Sequence, residues 1–149
     1  MYKNILIATD GSTLAAKAVD EGIALAKEVG ATVTAVYVME PFPWGSMGMD
    51  FGASVSPQLL TDFEVSSEQI SKEILSSVAK RAQDASVKYE TVHIRDRPPF
   101  TGIIETAKSK KCDLIVMASH GRKGIAAVVL GSQTVKVLTH SEIPVLVCR

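Results

Sequence analysis

Apolar positions along this chain fall into two alternating kinds of segment. Short unbroken runs bounded by Gly, Asp or Pro lie at residues 5–8, 33–38, 114–118 and 145–148, with a weaker fifth at 89–94. An unbroken run predicts a strand covered on both faces, as in parallel sheets; a strand with one wet face would alternate. Between the runs the period becomes helical. Ala15, Ala18, Val19, Gly22, Leu25, Ala26 and Val29 share one stripe, while Lys17, Asp20, Lys27 and Glu28 lie off it, and Gly30 closes the helix. Ser56 and Pro57 read as a cap and a first-turn proline, opening a second helix with the stripe Phe63, Ile70, Ile74, Val78 and Ala82. A third helix carries Ile103, Ile104 and Ala107; a fourth, opening at Gly131-Ser132, carries Val135 and Leu138. The order βαβαβαβαβ predicts one α/β domain over residues 1–149, a parallel sheet with right-handed crossovers and helices on both faces.

Residues 40–56 break the pattern. Pro41, Pro43, Gly45, Gly48 and Gly52 mark a loop, yet Phe42, Trp44, Met47, Met49 and Phe51 make it too apolar for a plain solvated linker. It leaves the carboxyl end of the second strand, so a lid over a ligand and a surface for a partner are both open readings.

Composition narrows the function classes. A chain of 149 residues with 46% hydrophobic content can bury one core without staples or metals. Cys112 and Cys148 stand far apart in no Cys-x-x-Cys motif, which excludes a disulfide framework and fits a reducing compartment. Sixteen Lys and Arg balance sixteen Asp and Glu, leaving no basic field for nucleic acid. No apolar run approaches the roughly 20 residues that span a bilayer, and none near the start forms a signal sequence. A cytoplasmic protein is expected, with neither nucleic acid nor membrane as partner.

Two loops carry candidate chemistry, both at carboxyl ends of strands, where open α/β sheets bind ligands. The first is Ala8-Thr9-Asp10-Gly11-Ser12; Asp10 and Ser12 could contact a ligand or simply shape the turn and cap the helix. The second runs from Met117-Ala118-Ser119-His120-Gly121-Arg122 to Gly131-Ser132-Gln133-Thr134. Free N–H groups at a helix start, glycines and hydroxyls together suit a phosphate, although glycine spacing alone is weak. His93, His120 and His140 are dispersed, so no metal site is expected. No Gly-x-Ser-x-Gly elbow, Walker lysine motif or Gly-x-Gly-x-x-Gly is present, and no catalytic apparatus is visible.

These segments, with the closing Ile143-Pro144-Val145-Leu146-Val147, resemble the universal stress protein family from near Met1 to Arg149. Nucleotide-binding members of that family carry Gly, two residues, Gly, nine residues, then Gly followed by Ser or Thr. Here Ala118 stands at the first glycine, Gly121 at the second, and Gly131-Ser132 at the end. The resemblance implies a Rossmann-like sheet in the order 3-2-1-4-5, so that both loops line one crevice. It implies that Ala8, Thr9, Asp10 and Val38 surround adenine and the nearby ribose, that Met117 and Ala118 face the ribose, and that Gly121, Gly131, Ser132, Gln133 and Thr134 hold phosphates. Arg122 and Lys123 are further candidates for phosphate contact. The expected ligand is ATP with Mg2+, in a homodimer formed through the edge strand Val145–Cys148 that serves an unidentified regulatory partner. Two alternatives stay open: a member that binds no nucleotide and acts as a structural or interaction dimer, and a slow ATP-hydrolysing enzyme.

Overall fold

The computed structural model describes residues 1–42, 55–122 and 130–149. Strands β1 (Asn4–Ala8), β2 (Thr32–Val38), β3 (Tyr89–Ile94), β4 (Leu114–Ala118) and β5 (Val145–Cys148) form one sheet in the order β3-β2-β1-β4-β5. Every pairing is parallel, and in the centre Ile7 lies between Ala35 and Val116. Helices α1 (Thr13–Val29), α2 (Pro57–Asp84), α3 (Pro99–Ser109) and α4 (Ser132–His140) connect the strands. Successive strand residues point to opposite faces, so each strand feeds two cores. Ile5, Ile7, Val33, Ala35 and Val116 pack with α1 and α2. Leu6, Val36, Ile115 and Met117 pack on the other face with Ile103 and Ala107 of α3 and Val137 of α4. This double coverage is why the central strands read as unbroken apolar runs.

Local chemistry sets the helix ends. Ser12 Oγ accepts from the Ala15 N–H at 3.1 Å to start α1, and Gly30, at φ 69°, ends it in the left-handed conformation. Ser56 Oγ accepts from the Leu59 N–H at 3.2 Å, with Pro57 as the first residue of α2.

The helical stripes differ from expectation in two places. In α4 the buried residues are Thr134 and Val137, while Val135 and Leu138 are 45% and 42% exposed. A buried threonine anchors that helix, and an apolar period cannot reveal it. In α2 the buried line is Ser71, Leu75, Val78 and Ala82, and Ile70 is exposed. Here Ser71 faces His93 of β3, with Oγ and Nε2 3.1 Å apart. Of the apolar residues expected in the 40–56 loop, Trp44, Met47, Met49 and Phe51 lie outside the described residues, as do Pro43, Gly45, Gly48, Gly52 and Lys123. Phe42 stacks edge-on against Phe63 at 4.9 Å.

Candidate functional site

The connections out of β1 and β4 depart in opposite directions along the sheet, which leaves a crevice at the carboxyl ends of these neighbours. From β1 the chain turns sharply. The Thr9 N–H still donates to Val36 O at 3.0 Å, and the Gly11 N–H donates to Thr9 Oγ1 at 3.2 Å. Gly11 has φ +75°, where a side chain would be strained. Asp10 closes the turn, its Oδ1 accepting the Ser12 N–H at 3.0 Å. Its Oδ2 reaches across to the other loop and accepts the Arg122 N–H at 2.8 Å. The two expected site loops are therefore tied together by one carboxylate.

After β4, Ser119 is fully buried; its N–H donates to Cys148 O at 2.8 Å, and its Oγ lies 2.9 Å from His120 Nδ1. The Gly131 N–H donates to Ser119 O at 2.7 Å, so the start of α4 is held against this turn. A Cβ on Gly131 would come within 3.3 Å of Ser119 O and His120 Cα, which is why the close approach uses glycine. The first N–H groups of α4, from Ser132, Gln133 and Thr134, have no carbonyl partner within the helix, the usual condition of a helix start.

The side chains of this segment have distinct tasks. Ser132 is exposed beside the helix start. Gln133 Oε1 accepts the Phe100 N–H at 3.1 Å and so caps α3. Thr134 Oγ1 lies 3.1 Å from Ala118 O and 3.2 Å from Ser119 O, sharing its proton with two carbonyls of the β4 end.

The expected base and ribose residues divide by face. Ala8, Val38 and Met117 belong to the α3 and α4 side, where α4 also begins. Gly102 of α3 lets that helix press on Val38, since a Cβ there would lie 2.9 Å from Val38 Cγ2. Ala118 belongs to the core on the α1 and α2 side, so its methyl is taken up by packing away from α4.

Other features had no clear signal in residue spacing. The guanidinium of Arg122 lies over Gly11, where a Cβ would meet Nη2 at 2.9 Å and Ile74 at 2.8 Å. Tyr37 of β2 belongs to the same electrostatic neighbourhood. Burial raises its phenol pKa, Arg122 opposes that rise, and Glu40 and Asp10 add to it. Behind the β1 turn a cavity of about 260 Å³ opens between α1 and α2, lined by Thr9, Gly11, Val19, Ile74, Ser77 and Arg81 among others. Burial raises the thiols of both Cys112 and Cys148, so neither is poised as a nucleophile. Among the described residues no group of three or more His, Cys, Asp or Glu could hold a metal, and no helix is long and apolar enough to cross a membrane.

Fold and crevice define an open, doubly wound α/β protein whose crevice at the carboxyl ends of the strands is built from the β1 and β4 turns and the start of α4. The universal stress protein family model matches residues 1–149, and the chain belongs to that family. It is 34% identical over 149 residues to the universal stress protein MJ0531 of Methanocaldococcus jannaschii, covering 100% of this chain and 83% of that protein. It is 30% identical to the universal stress protein YxiE of Bacillus subtilis, covering 100% of both. Among solved structures, the universal stress protein UspA from Lactobacillus plantarum superposes with TM-score 0.78 at 27% identity, over 99% of this chain and 98% of that one. Others were solved with nucleotides: a universal stress protein in complex with cAMP, at TM-score 0.67, 24% identity and coverage of 98% and 95%, and one from Arabidopsis thaliana with AMP bound, at TM-score 0.65, 14% identity and coverage of 97% and 90%.

Proposed function

We propose that this protein is an ATP-binding universal stress protein, a homodimeric regulatory domain whose nucleotide state is read by a partner. The observation that carries this reading is the sharing of one sheet face by Ala8, Val38, Met117 and the open amide end of α4. Half-buried Val38 offers apolar surface for a base and ribose, with Ala8 and Met117 buried in the same cluster, and the α4 start offers N–H groups and a positive dipole end for phosphate. Relatives solved with cAMP and AMP make an adenine nucleotide the natural ligand class. Within the α4 segment the contributions are unequal. The Gly131 N–H and the Thr134 hydroxyl are already bonded to the β4 turn, so phosphate contact falls to the amides of Ser132 to Thr134 and the Ser132 hydroxyl. Both Asp10 oxygens accept backbone N–H groups, so reading of the adenine edge falls to backbone atoms of the β1 turn and the region of Val38. Mg2+ would enter on the triphosphate, because such an ion keeps several waters and needs few protein ligands.

Calorimetry tests this. Millimolar ATP with Mg2+ is expected to give saturable heat, with GTP weaker. Gly131→Val, which forces the α4 start off the β4 turn, is expected to weaken ATP at least about tenfold, roughly 1.4 kcal/mol. No heat from a protein with a folded circular dichroism spectrum would sink the reading.

A further inference from the structure

We propose that Asp10 is the positioning residue of the crevice, and that Gly121 is glycine to make room for the Asp10 carboxylate. The inference rests on the nucleotide reading above and assigns the second motif glycine a role within it.

The geometry around Gly121 separates three reasons for a glycine. A conformational need is absent: the glycines with positive φ among the described residues are Gly11 and Gly30, and Gly121 is not one of them. Crowding by backbone, the situation of Gly131, is also absent. A Cβ built on Gly121 would meet Asp10 Oδ2 at 2.6 Å and Asp10 Cγ at 3.8 Å, and no other described atom beyond its chain neighbours lies within 4 Å. What remains is the carboxylate. The same Oδ2 accepts the Arg122 N–H at 2.8 Å, next along the chain, so the oxygen fits where it does because Gly121 has no side chain. Asp10 Oδ1 meanwhile accepts the Ser12 N–H at 3.0 Å. One side chain thus fixes the shape of the β1 turn and its spacing from the β4 turn. These are the two walls between which a nucleotide would lie. Both carboxylate oxygens are engaged by N–H donors, so Asp10 acts on the ligand through the loops it holds.

A double-mutant cycle in the full-length protein separates this from a direct ligand role for Gly121. ATP affinity and Arg122 amide hydrogen exchange are measured for wild type, Asp10→Ala, Gly121→Ala and the double variant, with circular dichroism to verify folding. The expected result is that each single change weakens ATP about tenfold, the loss of a hydrogen bond to a charged group. The double variant is no weaker than Asp10→Ala, because the space the new methyl needs is then open. Asp10→Asn keeps one acceptor oxygen for two N–H groups and is expected to fall between wild type and Asp10→Ala. Arg122 exchange is expected to be slow in wild type and fast in both single variants. Equal cost of Gly121→Ala in the wild-type and Asp10→Ala backgrounds would overturn the proposal by placing Gly121 on the ligand itself. Unchanged Arg122 exchange in Asp10→Ala would overturn it too. If wild type binds no ATP, the nucleotide reading fails on its own, and the exchange measurement still decides whether Asp10 ties the two turns.

Discussion

Ala118 stands where the motif implied by the family resemblance has glycine, and its environment decides what the extra methyl does. It ends β4 in register with Cys148 and packs in the core under α1 and α2, on the face opposite Met117 and α4. Ala118→Gly is therefore expected to leave ATP affinity unchanged. It should lower stability by about 1 kcal/mol through lost methyl burial and added chain freedom. Chemical denaturation beside calorimetry checks both; a marked gain in affinity would mean the methyl obstructs the ligand. The Ser71 hydroxyl donates to Ser67 O at 2.7 Å, so His93 Nε2 is the donor in their contact. Burial lowers the His93 pKa, with Glu68 opposing and Arg95 reinforcing, and those two charges pair with each other. A histidine with a lowered folded pKa takes up its proton more readily when unfolded. Its contribution therefore weakens folding as pH falls through roughly 6.5, the ordinary histidine range, toward the folded value. His93→Gln is expected to flatten that part of the stability profile, as read by thermal melts between pH 7.5 and 5; an unchanged slope would assign the effect elsewhere.

At the scale of elements, much was legible and the gaps have causes. All five strands were readable as apolar runs or β-rich segments, because strands buried on both faces leave unbroken apolar stretches. Gly30 and Ser56-Pro57 marked helix ends because capping is local chemistry. In α2 the stripe held at Val78 and Ala82 but not in the preceding turns, and the face of α4 was not legible, because Ser71 and Thr134 hold buried positions through hydrogen bonds that an apolar period does not register. The division of labour in the crevice was hidden for a similar reason. That the side chain of Gln133 caps α3, and that Asp10 reaches Arg122, depends on contacts between residues 33 and 112 positions apart. Ser12→Ala removes the acceptor for the Ala15 N–H and is expected to cost about 1 kcal/mol, a melting shift of roughly 2–4 °C. An unchanged melting temperature would show that α1 is held by packing alone.

At the scale of the whole molecule, the order of strands leaves β5 at an edge, with one side unpaired among the described residues, and Leu146 is 41% exposed there. An apolar edge strand with few charges invites pairing, and a two-fold mate provides a closed, self-complementary contact. Beside it, a cavity of about 380 Å³ lies between β5 and α1, lined by Lys17, Asp20, Glu21, Leu146, Cys148 and Arg149. Light scattering is expected to give a dimer mass for wild type, shifted toward monomer by Leu146→Lys, whose ammonium would be buried in the pairing. A wild-type monomer at micromolar concentration would refute the edge-strand dimer.

ATP binding in the crevice between the β1 and β4 turns, at the start of α4, is testable by amide NMR during an ATP titration with Mg2+. Saturable shifts are expected at Thr9, Asp10, Gly121 and Gly131 to Thr134, with Ser77 in the cavity between α1 and α2 unmoved. Shifts centred on Ser77 and its neighbours, or a spectrum unchanged at saturating ATP, would contradict it.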